Sequence, residues 1–122
     1  MAQVKILCVA FDKTLKERLC TLLTRVGYEI VGTTRTKHAM QLLTGNEFDL
    51  IILGHRFPKK ERRELSALAR HKYEIKVLLM CDGSSDDEVP ADDVVYALHG
   101  TDALLNAVDG LLRKKALAAA QS

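Results

Sequence analysis

The sequence has no C-x-x-C pair and no Cys/His cluster at metal-ligand spacing, and its three cysteines, Cys8, Cys20 and Cys81, lie far apart. An odd number of scattered thiols excludes a disulfide framework and offers no structural zinc motif, so all three read as small buried thiols in a reducing compartment. No glycine-rich loop follows any of the apolar runs, which removes the usual cradle for a nucleotide or flavin phosphate. No apolar run reaches membrane length. The N-terminal "MAQVKILCVAF" passes from one lysine into a strand-length apolar segment with no cleavage pattern, so a cytoplasmic location without membrane contact is expected. Net charge is small too: 18 Lys and Arg against 16 Asp and Glu leave a formal +2, too little to draw the whole chain to nucleic acid or membrane.

What is present is 122 residues with 48% apolar content, enough for one core and too few for two ordinary domains. A single domain over residues 1–122 is expected. Short apolar runs alternate with helical patterns throughout, the pattern of a βα-repeating chain with a parallel sheet covered on both faces. "VKILCV" (4–9), "FDLIIL" (48–53), "IKVLLM" (75–80) and "VVYAL" (94–98) are nearly continuous apolar strands. "YEIVGTT" (28–34) alternates instead, as an edge strand does. Leu15, Leu19, Leu22, Leu23 and Val26 recur at helical spacing behind a Thr14-x-x-Glu17 capping box, and Gly27 ends that helix. A second helix starts at Thr36, buries Ala39, Met40 and Leu43, and stops at Gly45-Asn46. A third follows Pro58 and buries Leu65, Leu68 and Ala69. The last starts near Thr101 or Asp102, with Leu104, Leu105, Val108, Leu111 and Leu112 on one face and a tail, 114–122, that is helix-prone and then frays. Between the fourth and fifth strands, "CDGSSDDEVPADD" (81–93) leaves room for about one or two helical turns, so a helix there is short or missing.

In this order the elements resemble the receiver domain of two-component response regulators. The carrying stretches are "VKILCVAFDKTLKERLCTLL", "GYEIVGTTRTKHAMQLL", "FDLIILGHRFP", "IKVLLMCD" and "VVYALHG", and the resemblance covers roughly residues 3–113, a core followed by the tail. It implies a flavodoxin-like, doubly wound α/β fold of five parallel strands in the order 2-1-3-4-5, with the site at the carboxyl ends of the strands. It also implies a set of site positions that this chain fills with other residues. The acid pair that holds Mg²⁺ falls at Ala10 and Phe11, and Asp12, the third of that run, reads as a turn or helix-start residue. The phosphate-accepting aspartate falls at Gly54, four residues before Pro58. Asp49 is no substitute, because five residues of strand put it about 16 Å away. The hydroxyl after the fourth strand falls at Cys81, a weaker donor. The lysine after the fifth falls at His99 if Tyr96 matches the switch aromatic, or at Leu98 if the last helix is matched, and the following proline is then Gly100 or His99.

A degenerate pseudo-receiver is therefore expected: not phosphorylatable, not an enzyme, without cofactor, and acting on signalling proteins such as a histidine kinase or another regulator, with a homodimer through its last strand and helix as a further expectation. Tyr96 is expected to keep one position. Two alternatives stand beside this. One is phosphorylation at a non-standard acceptor, for which His55 is the candidate, although one residue along a strand turns the side chain to the opposite face. The other is a metal site at His55, Cys81 and His99, with Asp12 and Asp82 close by. Arg56, Lys59, Lys60, Arg62, Arg63, Arg70, His71 and Lys72 gather positive charge around the third helix, but with no aromatic platform among them they read as a solvated face rather than a nucleic-acid surface. "AFDKTL" is similar to the nucleophile loop of haloacid-dehalogenase-type phosphatases, but Thr14 stands where that loop needs its second aspartate.

Overall fold

The structure is a computed structural model that describes residues 4–10, 12–54, 58–81, 91–96 and 100–121, with the backbone alone for Lys59 and 115–121. The elements run β1 (Lys5–Val9), α1 (Lys13–Val26), β2 (Glu29–Thr33), α2 (Thr36–Gly45), β3 (Leu50–Leu53), α3 (Lys59–Ala67) with a wider π turn at Leu68–Lys72, β4 (Lys76–Cys81), β5 (Asp93–Tyr96) and α4 (Gly100–Gln121). All strand pairs are parallel, as the alternating pattern predicts, and the sheet order is β2-β1-β3-β4-β5, as the receiver resemblance implies. Four α-helices are present among the described residues.

Period-two alternation sorts each central strand into two cores. Leu7, Val9, Ile51, Leu53, Val77, Leu79 and Cys81 pack with Ala39 and Leu43 of α2 and Leu65 of α3. Ile6, Cys8, Leu50, Ile52, Leu78 and Met80 pack on the other side with Leu19 and Leu23 of α1 and Leu104, Val108 and Leu111 of α4. Both faces of β1, β3 and β4 are thus buried, and this is why their sequences are continuous apolar runs.

Helix ends differ from the sequence pattern in an instructive way. The cap of α1 is Asp12 rather than Thr14: Asp12 Oδ1 accepts the Thr14 N–H at 2.9 Å, so the helix starts earlier than the capping box predicts. Its far end is a Schellman motif, with Gly27 at φ 114° donating to the Thr24 carbonyl and Tyr28 to that of Leu23. Thr36 starts α2 as expected, and the chain enters through an extended Arg35 whose N–H donates to Thr33 Oγ1. α4 opens at Gly100 and continues as helix to Gln121, so the tail extends the helix where fraying was expected.

The fifth strand corrects another expectation. β5 is an outer strand covered by α4 on the Val95 face only, leaving Val94 41% and Tyr96 44% exposed rather than buried. Val26, also expected inside, is exposed at the end of α1. The segment 82–90, where a short or missing helix is expected, lies outside the described residues.

Candidate functional site

β1 and β3 lie side by side, and their carboxyl ends deliver Ala10 and Gly54 to one point at the top of the sheet. Gly54 donates its N–H to the Val9 carbonyl at 2.7 Å, and Ala10 donates to the Thr33 carbonyl at 3.1 Å, so both backbones are tied to the strand ends. The approach is close. A Cβ added to Gly54 would stand 3.1 Å from Ala10 Cα, 3.2 Å from the Val9 carbonyl oxygen and 3.3 Å from Ala10 Cβ. Two of these three atoms belong to the backbone, which cannot step aside as a flexible side chain does. Ala10 itself is wholly buried. The two positions where the receiver resemblance places a metal-binding acid and the acceptor aspartate therefore hold small residues in mutual contact.

Asp12 has its carboxylate on the first turn of α1, where the unpaired N–H groups and the helix dipole favour a negative charge. Cys81 is 4% exposed and packs into the core between the sheet and α2 and α3. Tyr96 sits beside Cys81 in the strand register and is half-exposed at the sheet edge. Phe11, His55, Asp82, Leu98 and His99, the remaining positions singled out in the sequence, lie outside the described residues.

Asp49 is at the opposite end of the sheet, as its place in the sequence predicts. Its Oδ2 accepts the Lys5 N–H at 3.0 Å while its own N–H donates to the Lys5 carbonyl at 2.8 Å. Asp92 repeats the arrangement before β5: Oδ2 accepts the Val77 N–H at 2.7 Å, and its N–H donates to the Val77 carbonyl at 2.9 Å. Each carboxylate ties its own strand to the start of a neighbouring one.

Among the described basic residues around α3, Lys60, Arg63, His71 and Lys72 are exposed as a solvated face requires, while two others are not. Arg62 is 5% exposed on the inner side of the helix, and Arg70 lies 3.8 Å from Asp92. Periodicity carries the signal for Arg62, since it sits three residues before the core residue Leu65.

Two concave surfaces were not evident from the sequence. A groove of about 630 Å³ runs between α1 and α4, floored by Met80 and Val95 and walled by Leu15, Leu22, Tyr96 and Leu104. A cleft of about 540 Å³ beside the end of β2 is lined by Lys16, Arg35, Lys37 and His38 together with Gly32 and Thr33. Both depend on how α1 lies across the sheet, which no local motif encodes.

No family model matches the sequence, and neither does any curated protein. Solved structures do match. The response regulator protein TrrA of Thermotoga maritima, in complex with Mg²⁺–BeF, is 24% identical with a TM-score of 0.74, over 89% of this chain and 99% of that one. The signal receiver domain of an HD domain-containing protein from Pseudomonas fluorescens Pf-5 is 18% identical with a TM-score of 0.82, over 100% of this chain and 96% of that one. That of a putative LuxO repressor protein from Vibrio parahaemolyticus is 18% identical with a TM-score of 0.81, over 99% and 98%. At these identities the likeness is one of architecture: the chain has the flavodoxin-like fold of response-regulator receiver domains.

Proposed function

We propose that this chain is a receiver-like signalling domain that accepts no phosphoryl group and works by contact with other proteins, without an enzymatic activity or cofactor of its own. The observation that carries this reading is the packing of Gly54 against Ala10 at the carboxyl ends of β3 and β1. Acceptance of phosphate on a receiver scaffold calls for a carboxylate nucleophile and for oxygen ligands around a magnesium ion. Neither glycine nor alanine supplies one, and Asp12 is engaged at the start of α1. The similar response regulator from Thermotoga maritima was solved in complex with Mg²⁺–BeF, while the strand ends of this chain carry Ala10 and Gly54.

Partners of this kind of domain are other signalling proteins, with a histidine kinase or another regulator as the expected class. The groove between α1 and α4, apolar on its floor and edged by Arg18 and Arg25, supports a role in contact. Incubation of the purified protein with acetyl phosphate and Mg²⁺, followed by intact mass measurement, tests the reading. An unchanged mass is expected. A stoichiometric gain of one phosphoryl group would overturn it and would direct attention to an acceptor such as His55.

A further inference from the structure

Cys8 and Cys20 lie twelve residues apart in the sequence and meet in the fold. Cys8 is in the middle of β1, wholly buried, with its side chain on the α1 side of the sheet. Cys20 is on the facing side of α1, only partly buried, with its sulfur lying over the β2 residue beside Cys8, and each thiol shifts the titration of the other. Gly32 makes this contact possible. It is the register partner of Cys8 on β2, and a Cβ built on it would stand 2.8 Å from Cys20 Sγ and 3.0 Å from Lys16 Cγ. A glycine inside a strand weakens it unless something must come close, and here the sulfur of Cys20 occupies the space that any side chain would fill. Lys16 and Gly32 also line the open cleft at the end of β2, which brings solvent to the edge of the pair.

We propose that Cys8 and Cys20 form a peroxide-responsive dithiol, in which Cys20 is the attacking thiol and Cys8 the resolving one. The sulfur of Cys20 attacks one oxygen of hydrogen peroxide. The O–O bond breaks, the other oxygen leaves as hydroxide and takes up a proton to form water, and Cys20 becomes a sulfenic acid. Cys8 then gives up its proton, its sulfur attacks that of Cys20, and the S–O bond breaks with loss of a second water. The protein loses two hydrogens and the peroxide is reduced. Two unbonded thiols stand farther apart than the roughly 2.05 Å of a disulfide, so closure draws α1 toward β1 over the gap at Gly32.

The electrostatics divide the roles in the same way. The Cys8 thiol is the largest cause that holds the Cys20 thiol at about 7; Lys16 also lowers it, while partial burial and Glu17 oppose. The Cys20 thiol and full burial push Cys8 well up, so it keeps its proton. Among the packed elements, α1 contributes Lys16 and Glu17, β1 contributes Cys8, and β2 faces the pair with Gly32.

The test uses the full chain, reduced and then exposed to hydrogen peroxide. Loss of two hydrogens by intact mass is expected, with peptide mapping that joins Cys8 to Cys20 and leaves Cys81 as a thiol. In Cys8→Ala, a sulfenic acid trapped by dimedone at Cys20 is expected in place of the disulfide. The wild-type rate should rise about tenfold from about pH 6 to about pH 8 and then level off, as the thiolate fraction does. A bond to Cys81 or between chains, oxidation of Cys20 beyond the sulfenic state in wild type, or a rate still climbing at about pH 9 would overturn the proposal. None of these readouts depends on whether the chain accepts phosphate.

Discussion

Gly54 is the residue on which the interpretation turns, because two independent features meet there. It carries no nucleophile, and it is pressed against the backbone of Ala10. The second feature makes a prediction that the first does not. Gly54→Ala puts a methyl group 3.1 Å from Ala10 Cα, and relief requires movement of a strand end held by the Val9 hydrogen bond. A loss of about 1–3 kcal/mol is expected from overpacking, more than the fraction of a kcal/mol that reduced freedom of the unfolded chain returns. Urea denaturation of the two proteins measures it, and equal midpoints would show that the approach is not tight. Gly54→Asp should lose at least as much and still fail to gain a phosphoryl group from acetyl phosphate, since Ala10 offers no oxygen to a magnesium ion.

The cysteine pair gives a residue-scale pH dependence with a definite sign. Cys20 titrates at about 7 in the folded protein, below the ordinary value of 9.0. A lowered acid binds fewer protons when folded than unfolded between those two values, so its contribution is full above the ordinary value and is lost as pH falls through the folded one. Wild-type stability relative to Cys20→Ala should therefore grow from about pH 7 to about pH 9 in urea melts. A difference that stays flat over this window would remove the basis for the low thiol value.

At the scale of elements, the recurrent device is an aspartate placed just before a strand. Asp49 and Asp92 each bracket the first residues of a neighbouring strand with one carboxylate and one backbone hydrogen bond. Asp92 also lies 3.8 Å from Arg70 and 4.0 Å from Lys76, so it links β5, β4 and the turn after α3. Asp92→Ala removes a charged acceptor from a partly buried N–H and should cost about 1.5–3 kcal/mol, with hydrogen exchange of β5 rising before that of β1 and β3. Uniform loosening of all strands would argue that β5 is not pinned there. Helix ends make a smaller prediction: Gly27→Ala forces a left-handed residue at φ 114° and should cost about 1 kcal/mol by the same measurement.

Over the whole molecule, a parallel sheet covered on both faces was legible from the βα alternation and the continuous apolar runs, and the strand order followed from the family resemblance. The place of Gly54 just past the end of β3 was legible too, from the apolar run that precedes it. What the sequence could not carry depends on tertiary placement. Asp12 outcompeted Thr14 as the cap because its carboxylate reaches a free N–H, which the S/T-x-x-E pattern does not describe. Val94 and Tyr96 read as core because their run is apolar, yet their strand lies at the sheet edge. Arg62 read as surface because charge was counted along the chain rather than around the helix. The meeting of Cys8 with Cys20 had one signal, the glycine inside β2, and it acquires meaning only when α1 is laid over the sheet.

The most direct measurement follows the amide signals of Ala10 and Gly54 by NMR while magnesium and beryllofluoride are added together. A closed pair of strand ends without acids predicts that neither signal moves at millimolar concentrations of both. Saturable shifts at these two amides would mean that the ion and the phosphoryl mimic are seated there, and the chain would then be a working receiver.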